Sequence, residues 1–285
     1  MWRVSKDSHD LWILATLDPL PKKMFWRSRL VEKRISSSQL VLAPPGVMVD
    51  IQFFGNSAYQ DALVQARRSP DDQTLAQGLP PDVYLRWRSL QTKFLAHQSY
   101  EHTRPIIAAV DLYENAVDQS GLNPDDHNIW RIVERNARSH HVRILAITVD
   151  WQRDRAINWL REFNEIPREV EVTCLEKTIE RIETDLGRMR HRANLWSVGD
   201  VPGLLAQTYP DDRMACFKTL YSVSKWNDQL EQAYAQLSDK WLAAVDSALS
   251  KNKSTFAVLP IPQLLAPDGW LAKLRARGYS IEDPK

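Results

Sequence analysis

Metal, nucleophile and phosphate chemistry each demand particular residues at particular spacings, and this 285-residue chain offers few of them. His97 and His102 are five apart, which on a helix turns them by about 140° onto separate faces, whereas a ligand pair on a helix wants a spacing of three or four. They read as surface histidines. His140 and His141 sit beside Arg138 and Arg143 and read as a solvated helix end, and no H-E-x-x-H occurs. Cys174 and Cys216 are the only cysteines and lack the paired spacing of a structural zinc site. One disulfide could join them, but two separate buried thiols are expected. Phosphate-cradling loops need closely spaced glycines, and only 9 are present where average usage predicts about 20. No G-x-G-x-x-G exists, Gly199-Asp200-Val201-Pro202-Gly203 carries a carboxylate and no following Gly-Lys-Ser/Thr, and the G-x-S-x-G nucleophile elbow is absent. Dinucleotide and Walker-type chemistry are therefore excluded, and an ordinary α/β-hydrolase is disfavoured.

What remains is a pair of polar residues placed alike by the elements around them. Leu11 to Leu17 is a short apolar run stopped by Asp18-Pro19-Leu20-Pro21, and it reads as a buried strand paired with Trp2 to Lys6 through Asp7-Ser8-His9-Asp10. Trp26 to Ser37 reads as a helix with Arg27, Arg29, Lys33 and Arg34 on its wet side, and Gln39 to Ala43 as a second strand ended by Pro44-Pro45-Gly46. Near the other terminus, Thr255 to Ile261 is an apolar strand, Pro262 to Ala266 a loop, Pro267-Asp268-Gly269 the turn into a helix through Arg277, and Tyr279-Ser280-Ile281 a final strand. These two strand, Pro-rich loop, helix, strand units imply a mixed, largely parallel sheet with flanking helices, an α/β class. In such a sheet ligands bind beyond the carboxyl ends of the strands. Asp18 and Gln263 stand just beyond two of them.

The middle of the chain reads as mainly helical insertions at about 57–140 and 151–250 within a single domain spanning 1–285. Helices are expected over Ser57 to Arg68, Asp82 to Ala96, Pro105 to Gln119, from Pro124-Asp125-Asp126 onward, Asp154 to Phe163, Val170 to Arg192, Pro202 to Gln207 and Ser224 to Ser250, with a strand at Arg143 to Val149. The charges from Glu176 to Arg190 mix signs at three- and four-residue spacing and read as a solvated helix face. Eleven tryptophans make saccharide stacking conceivable, but their spread over the whole chain favours core packing.

With 37 basic and 36 acidic side chains the formal charge is +1, so no global field recruits nucleic acid or an anionic membrane. No apolar run reaches 18 residues, and Met1 to Asp10 lacks a hydrophobic leader, so neither a membrane span nor a signal segment is expected. As written, the chain reads as cytoplasmic.

Trp2-Arg3-Val4-Ser5, Leu11-Trp12-Ile13-Leu14-Ala15-Thr16-Leu17, Phe256-Ala257-Val258-Leu259-Pro260, Pro267-Asp268-Gly269 and Leu274-Arg275-Ala276-Arg277-Gly278-Tyr279 resemble the TraB/GumN family, which includes the Tiki proteins, and the GumN-like bacterial branch most closely. The resemblance runs from end to end and is strongest in the first 45 and last 30 residues. It implies a fold related to the erythromycin-esterase and ChaN-type proteins. It also implies a G-x-x-H after the first strand and another after the late strand, whose imidazoles, with an acidic residue and an Arg/Asn pair, serve a metal-dependent hydrolase. Members of this branch are generally exported, so a periplasmic protein with Met1 as an internal methionine is the companion expectation.

The chain departs from that pattern at every motif. The first stands as Ala15-Thr16-Leu17-Asp18 and the second as Pro260-Ile261-Pro262-Gln263, with glycine and histidine gone from both. Ala43-Pro44-Pro45 replaces the expected glutamate region, and the Arg-Asn region falls at Ser238-Asp239-Lys240. The resulting expectation is a catalytically degenerate member that binds an unknown protein or saccharide, linked to exopolysaccharide or envelope processes, with no cofactor. The alternative is a peptidase- or esterase-type hydrolase with a rebuilt site around Asp18 and Gln263, divalent metal assisting, and Arg27 or Asp239 as weaker contributors.

Overall fold

The computed structural model describes residues 1–26, 28–49, 64–96, 98–123, 128–151, 163–209 and 227–284. Expected helices over 57–63 and 154–162, the start at 124–126, and Arg27, His97 and Cys216 lie outside these residues. The architecture is a mixed α/β fold around a six-stranded sheet. Its first two strands, β1 (Trp2–Lys6) and β2 (His9–Thr16), form an antiparallel hairpin whose turn residues Asp7 and Ser8 both take positive φ, 49° and 68°. That is the hand of turn that matches strand twist, and Asp tolerates it because its short polar side chain bonds locally.

After β3 (Leu20–Pro21) and α1 (Arg29–Ser36) the chain enters β4 (Leu40–Leu42) and then β5 (Gly46–Val49). Helices α2 (Leu75–Gly78), α3 (Pro81–Phe94) and α4 (Pro105–Gln119) follow, with proline in the first turn of the latter two, where the missing N–H costs nothing. Next come β6 (Leu122–Asn123), α5 (Asn128–Ser139), β7 (Arg143–Leu145) and β8 (Thr148–Trp151). The 31-residue α6 (Arg168–Val198) ends at Gly199, whose φ of 74° is the left-handed cap that glycine supplies, and Asp200 then accepts from the Gly203 N–H to cap α7 (Val201–Leu205). The chain closes with α8 (Asn227–Lys251), β9 (Ser254–Pro260), α9 (Ile261–Leu265), α10 (Trp270–Ala276) and β10 (Ser280–Glu282).

The sheet order is β10-β1-β2-β9-β4-β7. β2, β9, β4 and β7 run parallel, and β10, antiparallel to β1, points the same way as they do. Both terminal units therefore return in the same direction, as the sequence implies, although the second returns to the far edge beside β1.

Two local expectations need correction. Arg143 to Val149 is not one strand: it breaks after Leu145 opposite Pro44-Pro45, which have no N–H to continue a ladder. The Ala43 N–H to Leu145 carbonyl and Gly46 N–H to Ile147 carbonyl bonds span the break, so pairing resumes as the parallel β5–β8 ribbon. Residues expected as a loop from Pro262 to Ala266 instead form α9, because Pro262 sits in the first turn and buried Ile261 and Leu264 anchor it.

The apolar interior has two centres. One surrounds the sheet, with Leu11, Ile13, Phe256, Ala257 and Leu259 fully buried, and takes in Trp241 and Val245 of α8. The second is helical, formed by α2, α3, α4 and the first half of α6 around Trp87, Leu112 and Leu175. Cys174 lies in that second core and is disulfide-bonded, which overturns the expectation of a buried thiol. A surface so apolar hides either state of sulfur equally well, so burial could not discriminate between them.

Candidate functional site

The register between β2 and β9 decides what lies together. Ala15 faces Leu259 and Thr16 faces Pro260 across parallel strands, a spacing of about 4.8 Å. The two stretches Ala15 to Asp18 and Pro260 to Gln263 thus leave the sheet side by side at the carboxyl end of its centre. This juxtaposition is what the equivalent positions in the sequence imply.

The first stretch and the residues that follow it are held by the β3–β6 pairing, by two bonds of Lys22 and, third, by an indole. β3 pairs with β6, the Lys22 N–H donates to the Gly121 carbonyl at 3.2 Å, and Lys22 Nζ meets Asp118 Oδ1 at 2.6 Å. The third hold is Trp196 of α6, whose buried Nε1–H donates 2.8 Å to the Ala15 carbonyl, the backbone position where the strand pairing runs out. Trp26 packs on Trp196, ring centroids 5.2 Å apart and tilted by 37°. Sequence reading assigned these tryptophans to packing in general but gave no sign that one indole caps this strand.

On the second stretch, α9 is packed so closely against the turn into α10 that a Cβ on Gly269 would lie 2.5 Å from the Gln263 carbonyl and 2.8 Å from the Ala266 carbonyl. Both are backbone atoms and cannot swing away. Gly269→Ala is expected to cost about 1–3 kcal/mol as overpacking and to shift α9; the check is the urea midpoint at unchanged slope.

Asp18 is half-buried at the strand end, while Gln263 is exposed on α9. Asp239 is exposed on α8, between Ser238, which accepts from Lys273 Nζ at 2.9 Å, and Lys240, whose Nζ donates 3.2 Å to the Thr148 carbonyl. Arg27 is outside the described residues. Among the described residues no group of three or more His, Cys, Asp and Glu could hold a metal ion. A single carboxylate and a neutral amide do not make the donor set a dedicated divalent site needs. The residues at the motif positions do not fit the metal that the resemblance implies.

Charges elsewhere are organised for structure. Asp185, expected on a solvated face, is buried and takes a bidentate pair from Arg192 at 2.8 and 2.7 Å, with Arg181 also largely covered. The mixed-charge pattern does not extend to this face because α6 is walled there by α4 and α7. Its Glu176, Lys177, Glu180, Glu183, Arg188 and Arg190 are exposed, as the mixed-charge pattern implies. A depression of about 460 Å³ lies at the opposite end of the sheet, by Lys6, Asp246 and Tyr279. Burial and the bond to Asp246 push the Tyr279 hydroxyl up to about 12, so it stays a neutral donor there.

A family model for TraB/PrgY/gumN matches residues 1–283. The chain belongs to that family. No curated protein and no solved structure matches it. Asp18 and Gln263 stand just beyond the paired strand ends of β2 and β9. No helix among the described residues is long and apolar enough to cross a membrane.

Proposed function

We propose that this protein is a catalytically degenerate member of the TraB/PrgY/gumN family, on its GumN-like branch, acting as a binding or accessory protein for a protein or saccharide ligand in exopolysaccharide or envelope processes. The observation that carries this reading is the residue content of the paired strand ends: Ala15 and Pro260 where the motifs want glycine, and Asp18 and Gln263 where they want imidazole. Trp196 on the Ala15 carbonyl adds to it, since an indole there occupies space beside the strand end. The scaffold persists while the ligand set does not, as expected when fold and activity part company. We take the chain as one domain with a helical insertion. A disulfide-bonded Cys174 favours an oxidising compartment, and so the periplasm over the cytoplasm.

The purified full chain tests this directly. Isothermal titration with Zn²⁺, Mn²⁺ and Ca²⁺, with peptide and ester turnover assays alongside, is expected to give no sub-millimolar site and no turnover, while glycan arrays and envelope-lysate pull-downs retain a ligand. Sub-millimolar ion binding that disappears in Asp18→Ala, accompanied by hydrolysis, would instead establish a rebuilt metal-assisted hydrolase.

A further inference from the structure

The segment joining β3 to α1 reads Lys22-Lys23-Met24-Phe25-Trp26-Arg27-Ser28-Arg29-Leu30, and no acidic residue occurs between Asp18 and Glu32. Met24 and Trp26 are partly buried against the sheet core, Trp26 through its stack on Trp196. Phe25 between them is fully exposed, and Leu30, the second residue of α1, is 55% exposed. Isolated exposed apolar side chains are ordinary on a protein surface. This one differs in being a whole phenyl ring held outward by two neighbours anchored inward, on a backbone fixed upstream by the β3–β6 pairing and downstream by α1.

The charge around it is one-sided. Lys23, Arg29 and Lys33 are all exposed and have no ion-pair partner among the described residues, and Arg29 and Lys33 share a face of α1 at i, i+4. Lys22 is engaged with Asp118, and Glu32 is half-buried on the same helix. The net +1 of the whole chain hides this patch, but screening over about 8 Å makes the local charge the one a nearby surface feels. Exposed aromatic and aliphatic side chains rimmed by lysine and arginine match the interface of an anionic bilayer, where rings enter the acyl boundary and ammonium and guanidinium groups meet phosphates.

We propose that this segment docks the protein peripherally on anionic lipid, with Phe25 and Leu30 inserted and Lys23, Arg29 and Lys33 on the headgroups. Because Trp26 and Trp196 connect the segment to the Ala15 carbonyl, docking places the strand-end face toward the membrane. The inference is independent of whether that face retains chemistry.

Co-sedimentation of the full chain with vesicles tests it, using phosphatidylglycerol in phosphatidylcholine against phosphatidylcholine alone. Partitioning onto the anionic vesicles is expected, at least tenfold weaker on neutral ones and at high salt. Phe25→Ser should weaken it about ten- to hundredfold, the factor that corresponds to withholding one phenyl ring from an apolar phase. Lys23→Glu and Arg29→Glu should each weaken it about fivefold or more. All three positions are exposed, so folding is expected to survive, and circular dichroism checks it. Absence of binding to anionic vesicles, equal binding to both lipids, or wild-type binding by Phe25→Ser overturns the proposal.

Discussion

Glu171→Ala is expected to lower the unfolding free energy by about 3–5 kcal/mol, among the largest single-residue effects in this molecule. Arg104 and Glu171 form an ion pair inside the helical core, with side chains only 1% and 4% exposed. Arg104 Nε donates 2.8 Å to Glu171 Oε1, and a second guanidinium nitrogen reaches the same oxygen. Two further donors go to Asn164 Oδ1 at 3.0 Å and the Phe163 carbonyl at 2.7 Å, and the Phe163 ring lies 4.3 Å from the guanidinium carbon. Burial pushes the Glu171 carboxyl above its ordinary range against the opposing pull of Arg104. Removing the carboxylate leaves an uncompensated guanidinium in a buried site, and that desolvated charge, rather than the lost attraction, sets the size of the effect. The double variant Arg104→Met/Glu171→Leu is therefore expected to be far more stable than Glu171→Ala. Urea unfolding of the wild type, both single variants and the double variant measures the coupling; a Glu171→Ala loss below about 1 kcal/mol would remove this account of the helical core.

Trp196→Ala is expected to cost a comparable amount, about 3–5 kcal/mol, for a different reason. The indole is 7% exposed, joins α6 to the end of β2, and gives Trp26 its stacking partner. Truncation opens a cavity and strands the Ala15 carbonyl. Trp196→Phe separates the two contributions, because the ring volume is largely kept while the N–H is lost; about 1–3 kcal/mol is expected for the unpaired carbonyl. Losing this hold should also free the segment that carries Lys22 and Lys23. Tryptic cleavage there is expected to accelerate in Trp196→Ala at temperatures where the circular dichroism spectrum is still native. Cleavage at the wild-type rate would mean that the β3–β6 pairing alone fixes the segment.

Much of the frame was legible because it depends on short-range chemistry. The run Leu11 to Leu17 reads as a buried strand and Pro105 opens a helix, whereas the long helix expected to end at Arg192 continues to Val198, where Gly199 closes it. The Asp185 and Glu171 pairs were illegible for the opposite reason: an acidic residue on a long helix looks the same in sequence whether the face it occupies meets water or another helix. Cys174 posed the same difficulty, since its neighbours in sequence do not reveal whether a second sulfur lies within reach.

The sequence by itself determined the α/β class, the family, and that Asp18 and Gln263 stand just beyond two strands, because periodicity, prolines and motif content are properties of contiguous residues. Only the tertiary structure decided that those two positions leave adjacent strands, that Trp196 caps one of them, and that Phe25 stands outward between two buried neighbours. Each of these rests on pairs of residues far apart in the chain, such as Ala15 with Leu259 and Ala15 with Trp196, whose meeting is fixed by sheet register and helix packing rather than by any local preference.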